Sequence, residues 1–379
     1  MGLTLLAILP LPWVLDALFR WVWSRAARRP TRETEGVPLH SVVALVPSRS
    51  EGEHVRPTLE SLIRAQGSLQ LRIFLVLDGP DPAAEEVARE LGVAVLVKEQ
   101  PGPAKGAALR FAAEQLRETI QAADAVLVLD VGSRVTPEFF SHLRWPPGVA
   151  AMQAPLRGEG SGPGEAAGLS ERLAQDVWDR GKQNLGWAVK LRGTGTLFRP
   201  QVFLALTPHL TTQVEDTEAS LLLSAQGLRT ILAPEAAVVT DEKPGSTAEA
   251  SRQRARWLMG QLALLWYHSK RFFPFFARRP LEALSWLGIL LSRPLSLTVP
   301  LRVLIGTVLA MAAFSQQRLG LVVWGCCVAF SGLVEIGWLA ISHPRALRSA
   351  AQLAWSWVRA VSLLPTALHR WHRGRGGPP

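Results

Sequence analysis

Three carboxylates stand just past runs of strand character. Glu51 closes Pro47-Ser-Arg-Ser-Glu51 after Val42-Val-Ala-Leu-Val46, Asp78 ends Leu75-Val-Leu, and Asp130 ends Val126-Leu-Val-Leu. Open parallel sheets bind ligands at the carboxyl ends of their strands, so three acids at three tips point to one crevice. Any one of them alone reads more simply as a turn residue or a helix cap. Between them Pro101-Gly-Pro-Ala-Lys105-Gly106 opens a helix. A lysine and free amides at a helix N-terminus suit a phosphate or diphosphate, although a lysine beside a turn is usually only solvated. The GxxxxGK[ST] spacing of a Walker loop is absent, and no GxGxxG follows the first strand. Val214-Glu-Asp216-Thr-Glu218 starts another helix. Its acids either complement the helix dipole or aim a carboxylate base into the crevice. In Gln253-Arg-Ala-Arg256-Trp257, Gln253, Arg256 and Trp257 fall at i, i+3 and i+4, on one side of a helix. That side is an ordinary amphipathic surface, or a cationic and amide face for a diphosphate with an indole for stacking a sugar.

Elements that would hold these groups alternate along the chain. Strand patterns over Ser41–Val46, Leu71–Leu77, Val93–Val97 and Ala125–Leu129 are separated by helical spacing over His54–Ala65, Pro82–Leu91 and Ala104–Ile120. Such alternation predicts βαβ units and a parallel sheet, hence an α/β fold. The near-continuous apolar strands agree with a sheet covered on both faces. Further on, the Gly- and Glu-rich stretch Arg157–Gly168 reads as a loop. Leu169–Trp187, Glu215–Gln226 and Thr247–Tyr267 read as helices, and Thr230–Leu232 as a strand.

The 379 residues carry a formal net charge of +10 and are 48% apolar, with 14 Trp against one Tyr. That basic excess is not a nucleic-acid surface. It clusters at Arg25–Arg32, Lys270–Arg279 and Arg345–Arg375, each beside an apolar segment, as positive membrane flanks do. The two Cys, Cys326 and Cys327, are adjacent, so no disulfide is expected, consistent with a reducing cytoplasm. The sequence divides as follows: an N-terminal membrane anchor at residues 1–24, a cytoplasmic domain at 38–268, and an interfacial helix region at 271–299. A transmembrane hairpin at 300–342, with a span beginning near Pro300, precedes an apolar interfacial or membrane helix at 350–368 and a basic disordered tail at 369–379. An interfacial rather than spanning N-terminal helix is the alternative for the first segment.

The ordered set SRSE, Asp78, AKG, the Asp130 tip, GTGTLF, VEDTE and QRARW, followed by membrane segments, resembles the membrane-bound family 2 inverting glycosyltransferases. These include cellulose, chitin, hyaluronan and poly-N-acetylglucosamine synthases. The resemblance covers about Val42 to Gln261. It implies a GT-A, Rossmann-like nucleotide-diphospho-sugar transferase domain with N- and C-terminal transmembrane or interfacial helices. By position it implies that Glu51 and Asp78 hold the uridine of a UDP-sugar and that Lys105 lies near the nucleotide. Asp130 would be the first acid of a DxD motif and the metal ligand, and Asp216 the catalytic base. Gln253, Arg256 and Trp257 would line the diphosphate and acceptor site. The implied hexosyltransferase would sit in the plasma membrane and act on a lipid-linked or glycan acceptor, with partner subunits of a synthase as a further expectation. One motif departs from the family: the tip reads Asp130-Val-Gly132, where the second acid usually ligates Mg2+ or Mn2+. Asp130 alone holding the metal, metal-independent transfer, and a catalytically impaired nucleotide-binding or scaffold protein all follow from that substitution.

Overall fold

The computed structural model describes residues 2–29, 36–160, 163–292, 294–342, 344–345 and 354–362. The basic tail and most of the apolar segment before it lie outside those residues. In chain order the strands are β1 (Val37–Pro38), β2 (Ser41–Ser48), β3 (Gln70–Asp78), β4 (Ala94–Lys98), β5 (Ala125–Val128), β6 (Ser133–Val135), β7 (Arg144–Trp145), β8 (Val149–Gln153), β9 (Leu156–Glu159), β10 (Thr196–Phe198), β11 (Arg229–Leu232) and β12 (Val239–Glu242). The α-helices are α1 (Gly2–Ile8), α2 (Leu11–Ala26), α3 (Val55–Ala65), α4 (Pro82–Glu90), α5 (Lys105–Gln115), α6 (Arg117–Gln121), α7 (Pro163–Leu173), α8 (Arg180–Asn184), α9 (Pro200–Leu206), α10 (Glu215–Ala225), α11 (Thr247–Arg278), α12 (Pro280–Ser292), α13 (Leu295–Ser315) and α14 (Leu319–Ser342).

Val42 to Val46 are all buried, which only a strand in the middle of a two-faced sheet allows. The sheet has seven strands in the order β11-β8-β10-β5-β2-β3-β4. The expected parallel arrangement holds for β5, β2, β3 and β4. Beyond them β10 runs antiparallel to both β5 and β8. One core joins Val42, Ala44 and Leu75 to Leu59, Leu62 and Val87 of α3 and α4. The other joins Val43, Leu45 and Val126 to Leu109, Ala112, Phe203 and Leu222 of α5, α9 and α10. Helices on both faces of a mostly parallel sheet make this the expected α/β fold. A three-stranded sheet, β6-β12-β9, stands beside the β5 tip.

The stretch Arg157–Gly168 is not a loop throughout. It supplies β9 and the first turns of α7. A Cβ on Gly158 would stand 2.6 Å from the Gly168 Cα, so these two glycines let strand and helix backbones touch. The π-helical turn Ala174–Asp179 then interrupts the helix expected over Leu169–Trp187. Helix α11 runs past Tyr267 and through Pro274 to Arg278.

Among the described residues, three helical stretches are long and apolar enough to cross a membrane: Gly2–Ala26, Leu295–Ser315 and Leu319–Ile341. The second starts earlier than Pro300, which falls in its second turn and removes one backbone bond. Helices α13 and α14 pack through small residues. A Cβ on Gly306 would lie 2.4 Å from the Ala329 nitrogen, and one on Gly325 2.6 Å from the Ala310 nitrogen. The charges that interrupt these apolar stretches meet one another. Arg20 pairs with Asp16 one turn earlier and with Glu335 of α14 at 2.8 Å, and Arg302 of α13 pairs with the same Glu335 carboxylate. Asp16, Arg20 and Arg302 are fully buried. Two acids and two guanidinium groups thus tie α2, α13 and α14 together, as intramembrane charges require. Helix α2 also reaches the α/β domain, where Asn184 Nδ2 donates to the Ala26 carbonyl at 3.0 Å and Lys182 Nζ lies 4.5 Å from the Trp23 ring centroid.

Replacing Glu335 with Ala strips Arg20 and Arg302 of their shared carboxylate. Thermal unfolding in detergent should register a loss of about 3–5 kcal/mol, and the double change Arg302→Met with Glu335→Leu should recover most of it. A Glu335→Ala protein as stable as its parent would refute the pairing.

Candidate active site

Asp130 follows β5 directly, and its position is fixed from behind. Its backbone N–H donates to Thr194 Oγ1 at 3.0 Å, the Thr194 hydroxyl donates to Ser133 Oγ at 2.8 Å, and Ser133 Oγ donates to Asp241 Oδ1 at 2.8 Å. Lys243 Nζ closes the chain between Asp241, at 2.5 Å, and Glu171, at 2.6 Å. From the front, the Lys105 ammonium at the start of α5 donates to Asp130 Oδ1 at 2.7 Å and to the Gly193 carbonyl at 3.1 Å. It also pairs with Glu215 Oε1 at 2.9 Å. Burial alone would lower the Lys105 pKa, but the Asp130 and Glu215 carboxylates outweigh it and hold the amine above the ordinary lysine range. Burial, reinforced by Asp216 and Asp130 and opposed by Lys105, holds Glu215 above the usual carboxylate range.

Gly193 crosses this group at φ +79°. A Cβ there would lie 3.2 Å from Lys105 Nζ, 3.5 Å from Glu215 Oε1 and 3.6 Å from Asp216 Cβ. Both the backbone angle and the crowding therefore demand glycine. Asp216 sits in the first turn of α10, half-buried, with Oδ1 accepting from the Thr217 N–H at 2.6 Å. The loop leading into this helix is held by Glu218, which is 0% exposed. Its carboxylate accepts from the N–H groups of Thr211 and Thr212 at 2.8 Å each, and His268 Nε2 of α11 lies 2.6 Å away.

Asp78 ends β3 and is buried. Its Oδ1 accepts from the Gly102 N–H at 2.7 Å, its Oδ2 accepts from Arg49 Nε at 3.0 Å, and Lys98 Nζ stands 3.5 Å away. The loop 101–106 thus spans the tips, with Gly102 on Asp78 and Lys105 on Asp130. Glu51 is exposed beside them. Helix α11 approaches from the other side. Gly260 packs so tightly on α10's approach that a Cβ would lie 2.7 Å from Val214 Cγ1. This contact lies one turn beyond Arg256 and Trp257 and two residues before Asp216. Gln253 is half-buried, and Arg256 and Trp257 are exposed, so the three share an accessible side. The motif's other arginine, Arg254, is buried instead.

Of the named residues, Lys105, Asp130 and Asp216 come together, Asp78 joins them through the 101–106 loop, and Gln253, Arg256 and Trp257 stand a helix away. The sequence reading passed over Arg49, Thr194, Glu215 and Asp241. Three of these lie within or beside the quoted motifs, and their types gave the only signal. A cavity of about 20 Å³ lined by Lys105, Gly193, Glu215 and Asp216 has room for roughly one water. A larger cleft, about 650 Å³, lies at the β8–β11 edge among Arg144, Arg157, Arg180 and Glu235, away from these groups.

Among the described residues no group of three or more His, Cys, Asp or Glu is placed to hold a metal ion. The donor set still suits a hard divalent cation that one or two carboxylates share with substrate phosphates. Only the Oδ1 of Asp130 is engaged by Lys105. A Cβ on Gly132 would lie 3.8 Å from Glu242 Oε2, so a second carboxylate stands beside the position where the DxD motif has lost its own.

The sequence profile described as glycosyl transferase family group 2 matches residues 125–371, well over half of the chain. The chain belongs to glycosyl transferase family group 2. It is a glycosyltransferase, and its mixed α/β core has the GT-A fold. Among solved structures, a mannosyltransferase from Pyrobaculum calidifontis in complex with GDP-Man and Mn2+ aligns with a TM-score of 0.58 at 16% identity, covering 96% of this chain and 98% of that one. Glucosyl-3-phosphoglycerate synthase from Mycobacterium tuberculosis, in complex with Mn2+, UDP and glucosyl-3-phosphoglycerate, aligns more weakly. Its TM-score is 0.42 at 15% identity, over 59% of this chain and 80% of that one. None of the curated proteins matches the chain significantly.

Glu218 gives the glycosyltransferase an acid-sensitive anchor. Burial alone would raise its pKa, but hydrogen bonds from His268, Thr212 and Thr211 hold it below the ordinary glutamate range. The stability this contributes is complete above the ordinary value and is lost as pH falls through the lowered one. Urea titrations should find Glu218→Gln weakened by about 1–3 kcal/mol at neutral pH, with a shallower loss of stability on acidification than the parent. Parallel curves for the two proteins would remove Glu218 from this role.

Proposed function

We propose that this glycosyltransferase moves a sugar, with inversion at the anomeric carbon, from a UDP-sugar to a lipid-linked or polysaccharide acceptor at the cytoplasmic face of the plasma membrane. The observation that carries the reading is the meeting of Asp216 with Lys105, Asp130 and Glu215 beneath Gly193, at the carboxyl end of the sheet. Asp216 would take the proton of the acceptor hydroxyl as it attacks. Thr217 holds its Oδ1, which leaves Oδ2 for that task. Lys105 and Arg256 would meet the negative charge that develops on the departing diphosphate. Glu51 and Asp78 would hold the nucleoside, and Gln253 and Trp257 would line the acceptor side. Asp130, with Glu242 beside it, would hold Mg2+ or Mn2+, which supplies positive charge to the diphosphate when bound.

The apolar helices would keep the site at the bilayer surface, where such acceptors arrive. Two or three C-terminal membrane segments are few for a polysaccharide pore, so single or short additions, or a pore shared with partner subunits, fit best. The base of the donor stays open between uridine and guanosine, because the similar mannosyltransferase is complexed with GDP-Man. Gly132 at the DxD position favours a second reading, a glycosyltransferase-like protein that binds nucleotide without transferring sugar.

Release of nucleoside diphosphate from UDP- and GDP-sugars, with Mg2+ or Mn2+ present, separates the two. The first reading expects turnover that EDTA abolishes. It also expects Asp216→Asn to lose about 10²-fold or more in rate with nucleotide affinity unchanged. Nucleotide binding without release from any donor would establish the second reading, and full activity in Asp216→Asn would dismiss this residue as the base.

A further inference from the structure

Arg254 is buried to 3% exposure, its Nη1 has no hydrogen-bond partner, and no carboxylate among the described residues pairs with it. It lies over Trp357, which belongs to an apolar cluster with Ala255 and Ala360 against which Leu258 and Leu297 pack. The guanidinium carbon lies 5.5 Å from the Trp357 ring centroid, and that ring lies 6.3 Å from Trp257. Residues 354–362 are helical and cover this side of α11. The covering segment has no acid to offer, because no Asp or Glu follows Glu335 in the chain. Burial pushes the Arg254 pKa down to about 10, which still leaves the group charged at neutral pH. An unpaired buried charge is strongly disfavoured, and a cation–π contact offsets only part of the cost. Such a group is completed by an anion from outside the chain.

The donor diphosphate is not that anion. Residues two apart on a helix do not face each other, so Arg254 points away from Arg256. The Trp357 ring over Arg254 packs in a cluster that includes Leu297, in the first turn of the apolar helix Leu295–Ser315. We propose that Arg254, roofed by Trp357, binds the phosphate of an anionic lipid where the catalytic domain meets the membrane. On the reading above, that phosphate belongs to the lipid that carries the acceptor, which places the acceptor's headgroup one turn from Trp257. The lipid site rests on that reading for its purpose, but its occupancy is measurable without any transfer.

The test uses the full chain in neutral detergent, with melting followed on separate addition of farnesyl phosphate, phosphatidylglycerol, farnesol and inorganic phosphate. The phosphate-bearing lipids should raise the melting temperature and farnesol should not. Arg254→Met should melt higher than the parent without ligand, by about 2 °C or more, because a lone buried charge has gone, and should lose the lipid response. Arg254→Gln reads the same response if the methionine variant does not fold. A larger shift with farnesyl phosphate assigns the acceptor lipid. Equal shifts with the two lipids assign a bilayer phospholipid, and both outcomes uphold the site. An undiminished lipid shift in the variants, no shift in the parent, or an equal shift with inorganic phosphate overturns it. So does Arg254→Met melting lower than the parent, which would make the guanidinium a packing partner of Trp357. UDP affinity, measured by calorimetry, should be the same in parent and variants. No UDP binding in either would sink the donor reading and leave the lipid result standing.

Discussion

The ammonium of Lys105 holds the catalytic layer together. It touches both the tip of β5, through Asp130, and the start of α10, through Glu215. These two elements come from distant parts of the chain and from opposite sides of the reversed strand β10. Because Glu215 and Asp216 are adjacent, whatever fixes the first also sets the direction of the second. The tie is electrostatic and partly shielded from water, so it is strong at rest and yields to a stronger anion. A diphosphate brings more negative charge than either carboxylate. On the proposed reading its arrival would redistribute a contact that already exists, in a space that otherwise admits about one water.

Much of this was legible in the chain. Apolar strands with acidic ends announced both the sheet and its functional edge, because burial on two faces leaves a distinct pattern. The first turn of α10 and the exposed side of Gln253, Arg256 and Trp257 follow from local spacing. What the sequence did not reveal depends on partners far along the chain. Gly158 looked like a loop residue because its reason, Gly168, is visible only in the packed structure. Glu242 comes to stand beside Gly132 only through the antiparallel pairing of β12 with β6, which joins segments over a hundred residues apart. Burial of Arg254 rather than Arg256 depends on the helix at 354–362. The partner of Arg302, Glu335, lies 33 residues further on and is visible only once α13 and α14 are packed.

The same contrast separates the two ends of the molecule. In the α/β domain, charges pair both at the surface and in buried sites such as Asp78 and Glu218. In the membrane region they cancel permanently, and small residues rather than hydrophobic force bring the helices together. Helix α11 links these regimes, with His268 on Glu218 at one side and Arg254 under Trp357 at the other.

The four membrane charges also bear on how the chain is made. Asp16 and Arg20 lie one turn apart on the same helix, so α2 enters the bilayer already neutral, long before α14 has been synthesised. Arg302 and Glu335 emerge later as the two arms of one hairpin, and they too can cancel before they meet anything else. Each pair is self-sufficient in the order of translation, and only the Arg20–Glu335 contact waits for the finished protein. The bundle can therefore be inserted in two uncharged instalments and locked by a single late step.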